Sequence, residues 1–104
     1  MLITLDEAYK VAAVQDVALS PLDGFYHMTL GNAKALSIDH VVGNFAVGKE
    51  ADFVVLDLCS TELITNKMKY SRILTEKLFN LMILGDDRSI KETYVLGELC
   101  HSRD

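Results

Sequence analysis

From Leu5 to Val17 the apolar residues Leu5, Ala8, Tyr9, Ala12, Ala13 and Val17 recur at steps of three and four, and this spacing predicts an amphipathic helix. Asp6 and Glu7 fall in its first turn, where the helix dipole favours negative charge. Thr4, with Glu7 three residues on, has the form of a capping box. Ser20-Pro21 opens a second helix, with serine as cap and proline at the first helical position, where its missing N–H costs nothing. Leu22, Phe25, Tyr26, Thr29 and Leu30 supply its apolar face. Gly31-Asn32 interrupts that pattern, and Ala33 to Leu36 reads as one further short helical stretch.

Between Ser37 and Ala51 the texture changes to Gly43, Asn44, Gly48 and charged residues, the signature of a loop. Phe53-Val54-Val55-Leu56 follows as a continuous, β-branched run between Asp52 and Asp57, expected to be a strand buried on both faces or nearly so. Thr61 to Tyr70 has only weak helical periodicity. Leu74, Leu78, Phe79, Leu81, Met82 and Leu84 then form a wide apolar face that predicts a well-buried helix stopped by Gly85. Beyond Asp86-Asp87-Arg88, the arms Ile90 to Leu96 and Glu98 to Cys100 flank Gly97 as a hairpin, and His101 to Asp104 reads as a frayed tail. Short helices, a strand, a helix and a hairpin in that order make an α+β chain.

At 104 residues, the chain holds one domain or part of one. A chain of this size buries roughly 60–70% of its unfolded surface, enough for one modest core and not for a core plus a deep, walled pocket. Ten basic against fifteen acidic residues give a net charge of −5 with no basic stripe, which argues against a nucleic-acid partner. No apolar run approaches the ~20 residues that span a bilayer, and the opening Met1-Leu2-Ile3-Thr4-Leu5-Asp6-Glu7 lacks the basic start of a signal peptide. The expected location is therefore the cytoplasm. Cys59 and Cys100 form no CxxC pair and are expected to be reduced thiols packed as small apolar residues in or beside strands.

Local signatures of chemistry are missing. A zinc site gathers three or four His, Cys, Asp or Glu ligands, often through HxH, HExxH or CxxC spacing, whereas His27, His40 and His101 are scattered singly. No GxSxG elbow, P-loop or GxGxxG fingerprint occurs. Asp86-Asp87 offers paired carboxylates, but acids just past a helix end ordinarily cap turns or pair with a neighbour such as Arg88. The residues themselves thus nominate no catalytic, substrate-binding or metal-binding position.

Gly43-Asn44-Phe45-Ala46-Val47-Gly48-Lys49-Glu50-Ala51-Asp52-Phe53-Val54-Val55-Leu56-Asp57 resembles the G-x-F-x-x-G-K-x-A-D-F-V-V-L-D stretch near the C-terminus of amidohydrolase-superfamily deaminases. Thr29 to Leu36 resembles the T-x-G-x-A-x-A-L helix that precedes it in those enzymes. Leu78 to Ile90, with its Leu84-Gly85-Asp86-Asp87-Arg88 element, and Thr93 to Gly97 are similar to the ending of the guanine deaminase family. The resemblance implies a parent enzyme built on a (β/α)8 barrel with a small composite β-sandwich, converting guanine to xanthine and ammonia with one zinc ion that activates water. It places residues 1–37 as the last helices of the barrel and 38–104 as the C-terminal part of the sandwich, with an inserted helix at about 74–84.

The family's zinc ligands, an HxH pair, two further histidines and an aspartate, lie upstream of the matched region. None is carried over, so no zinc is expected in this chain and the chain alone is expected to be inactive. Asp52, Asp57, Asp86, Asp87 and Arg88 match the pattern and are expected to have structural roles. Strands left without neighbours recruit another chain, so a homo-oligomer, or the missing N-terminal part of the enzyme, is the expected partner. Two alternatives stand beside this reading: a segment of another amidohydrolase deaminase or chlorohydrolase, and a non-catalytic β module that binds a protein.

Overall fold

The computed structural model describes residues 1–103 and has four longer helices, one short one and a single three-stranded sheet. Asp104, the end of the predicted tail, lies outside the described residues.

Helix α1 spans Leu2–Val14 and starts one turn earlier than its periodicity predicts. Leu2 is buried together with Leu5, so packing the first side chain draws the chain start into the helix. Met1 occupies the cap position without a side-chain bond, and the Leu5 amide donates to its carbonyl at 3.0 Å. Thr4 therefore lies inside the helix, and the expected Thr4–Glu7 capping box does not form.

Ser20 does cap helix α2 (Pro21–Tyr26), accepting from the Asp23 amide at 3.1 Å. Gly31-Asn32 does not break the helical path. A single π turn (His27–Gly31) leads directly into α3 (Asn32–Ala35), with both joints in helical geometry. The extra residue of a π turn loosens the carbonyl ladder, and the Thr29 hydroxyl compensates by donating to the Phe25 carbonyl at 2.8 Å and the Tyr26 carbonyl at 3.3 Å. The buried face is also rotated from the predicted one. Leu22 and Tyr26 are exposed, whereas Gly24 faces inward. A Cβ at Gly24 would lie 2.9 Å from a Leu5 methyl and 3.4 Å from the Met82 sulfur, so only glycine lets α2 approach this closely.

Strand β1 is Phe53–Leu56. Helix α4 (Glu62–Met68), left open by the weak periodicity, is set by Thr61, whose Oγ1 accepts from the Ile64 amide at 3.2 Å. Helix α5 (Leu74–Leu84) matches its expected limits and stops at Gly85. A 3₁₀ turn (Asp87–Ser89) then leads to β2 (Ile90–Val95) and β3 (Glu98–Ser102). The strands pair antiparallel in the order β1-β2-β3, with Phe53 opposite Tyr94 and Tyr94 opposite Leu99. Leu96 and Gly97 both have positive φ (53° and 76°), the geometry of the two-residue turn whose twist suits a hairpin.

The core is helical. Leu2, Leu5, Ala33, Ile64, Leu81 and Met82 are its buried apolar residues, with α5 in the middle and Tyr9 edge-on to Phe79 at 5.7 Å. Among the described residues no strand residue is buried. The expectation that Phe53–Leu56 is covered on both faces is thus overturned: β1 is an edge strand with Val54 48% and Val55 36% exposed. Two further expectations fail. His101 and Ser102 are not frayed but belong to β3, opposite Thr93 and Glu92. Both cysteines are free and exposed rather than packed, Cys59 in the turn after β1 and Cys100 on the outer strand.

Candidate functional site

The densest polar grouping sits where the end of β1, the 3₁₀ turn and the end of β3 converge. Asp57 accepts from the Cys59 amide at 2.8 Å and pairs with Arg103 at 2.7 Å. Arg103 also donates to the Arg88 carbonyl, and its own amide bonds the Lys91 carbonyl at 2.9 Å. Asp86 caps the 3₁₀ turn through the Arg88 amide at 2.9 Å and holds the Arg88 guanidinium at 2.6 Å. Beneath them the fully buried Ser89 hydroxyl meets Ser60 at 3.0 Å.

The electrostatics follow from these pairings. Hydrogen bonding from Arg103, aided by the Cys59 amide, holds the Asp57 carboxyl below its ordinary value. Arg88 does the same for Asp86 and is itself pushed up by that carboxylate. A general acid or base needs a pKa moved toward the working pH, and these carboxylates are moved away from it. Asp52 is likewise engaged, accepting from the Leu96 amide at 2.9 Å and so tying the hairpin turn to the start of β1. Asp87 is exposed in the first turn of the 3₁₀ segment. This grouping is a latch between chain segments. Arg103 and the Ser60–Ser89 pair escape a reading of the sequence, because each makes its contact with a residue far away along the chain.

The histidines are not brought together. His27 lies on the π turn edge-on to Tyr26 at 5.6 Å, His40 in the loop before β1 and His101 on β3, and all three are exposed. Among the described residues no three of His, Cys, Asp or Glu stand close enough to hold a metal ion. An open groove of about 430 Å³ between α4 and α5, lined in part by Tyr70, Glu76, Phe79 and Asn80, gathers no set of convergent charges. One polar atom is out of place: Asp6 Oδ1 on α1 is buried without a hydrogen-bond partner, while its other oxygen pairs with Lys10 at 3.1 Å.

The profile of the amidohydrolase family matches residues 1–100. The chain belongs to the amidohydrolase family. Among characterised members, this amidohydrolase chain is 51% identical to guanine deaminase of Escherichia coli over 104 residues, all of this chain and 24% of that protein. It is 32% identical to human guanine deaminase over 88 residues, 82% of this chain and 19% of the relative. The amidohydrolase segment therefore spans about a quarter or less of the length of these relatives. Its fold superposes on the E. coli guanine deaminase structure with a TM-score of 0.96 at 50% identity, covering 99% of this chain and 24% of the other. Guanine deaminase from Bradyrhizobium japonicum matches with a TM-score of 0.86 at 35% identity, over 100% and 28% of the two chains.

Proposed function

We propose that this chain is the C-terminal structural segment of a guanine deaminase, whose parent enzyme hydrolyses guanine to xanthine and ammonia in purine catabolism. The observation that carries the reading is the match to E. coli guanine deaminase along 99% of this chain at a TM-score of 0.96. Such agreement is a likeness of the backbone along nearly the whole chain, the hairpin included.

In this reading residues 1–37 are the last helices of a barrel and 38–104 part of a composite β-sandwich, with α5 inserted. Zinc belongs to the parent. The donor set here does not suit it: the three histidines are exposed on separate elements and the carboxylates of the latch are occupied by arginines and amides. No catalytic, substrate-binding or metal-binding residue is assigned to this chain. Among the described residues no helix is long and apolar enough to cross a membrane. The proposed compartment is the cytoplasm. The proposed partners are guanine, through the parent, and either the rest of the enzyme or further copies of this chain.

Ammonia release from guanine tests the reading in two settings. The isolated chain supplied with zinc is expected to show no turnover and no stoichiometric metal. A chimera in which the chain replaces the matching quarter of E. coli guanine deaminase is expected to deaminate guanine. Zinc-dependent turnover by the isolated chain, or a folded chimera without activity, would overturn it.

A further inference from the structure

We draw no further inference here: the strongest candidate, the open groove between α4 and α5 with the exposed Tyr70, Ile73 and Leu74 beside it, is an unpartnered apolar face, and nothing in the structure shows what covers it.

Discussion

The helical corner and the sheet are built on opposite principles. Among the described residues every buried apolar side chain lies on a helix, and α1, α2 and α4 pack against α5, which carries Leu81 and Met82. The sheet holds itself together by backbone pairing, by the stacked rings of Phe53 and Tyr94 at 4.6 Å, and by the polar latch at its base. The helical corner therefore carries the stability this chain has in isolation, while the sheet has the edges and faces of an unfinished layer. Side-chain burial is what separates an autonomous element from a dependent one, since an isolated small sheet without a covered face is marginal in water.

The sharpest test of that contrast is a pair of truncations. Leu81→Ala empties a fully buried site and is expected to cost about 3 kcal/mol, the usual range for core leucines being about 2–5 kcal/mol. Val54→Ala removes half-exposed methyls from β1 and is expected to cost less than about 1 kcal/mol. Urea unfolding followed by helical circular dichroism measures both. Equal losses would mean that the sheet shares the helical core after all.

Gly85→Ala probes the same corner from its edge. An added Cβ would lie 2.3 Å from the Leu81 carbonyl oxygen and 3.1 Å from a Leu2 methyl, so backbone as well as side chain must move. Overpacking of this kind is expected to cost about 2 kcal/mol, read as a lower urea midpoint with an unchanged slope. A neutral result would show that α5 can shift freely against α1.

How much of this was legible in the sequence divides along the same line. Leu74–Leu84 was readable because its apolar positions repeat with the helical period and end at Gly85, and both signals are local. The Ser20-Pro21 cap and the turn at Gly97 were readable for the same reason. The run Phe53–Leu56 shows only that a strand could be buried, and whether a neighbour exists to bury it is not a property of those four residues. The Gly31-Asn32 pair reads as a break, yet both residues adopt ordinary helical angles once the π turn absorbs the extra residue. For the site, the three histidines stand on separate elements, His27 on the π turn, His40 in the loop before β1 and His101 on β3. Arg103 was hidden in a polar tail, and its partner Asp57 is 46 residues away.

Between the two halves lies the pair of the buried Ser89 and the half-buried Ser60. Ser89→Ala leaves Ser60 without its 3.0 Å partner and the Asp86 amide without its 3.4 Å one. A cost of about 1 kcal/mol is expected, near the usual worth of one part-buried hydrogen bond. Hydrogen exchange is expected to accelerate at Asp57, whose amide donates to the Ser89 carbonyl, before it changes in α5. Acceleration in α5 first would place this pair in the helical core instead of at its junction with the sheet.

The smallest effect belongs to the latch, and pH gives it a signature. Arg103→Ala removes the 2.7 Å pair with Asp57, whose partners are 34% and 24% exposed, so at pH 7 the loss is expected to be under about 1 kcal/mol. Asp57 has its folded-state pKa depressed below 3.8, chiefly by the Arg103 hydrogen bond. A depressed carboxylate contributes stability that is fully present above the unfolded value and is lost as pH falls through the folded one. The gap between the parent chain and Arg103→Ala is therefore expected to be constant from pH 7 to about 5 and to narrow below about pH 4. It does not close, because the bond from Arg103 to the Arg88 carbonyl does not titrate. Urea midpoints at pH 7, 5 and 3 read this directly. A gap that stays constant down to pH 3 would mean that the ion pair contributes nothing to holding β3 against the end of β1.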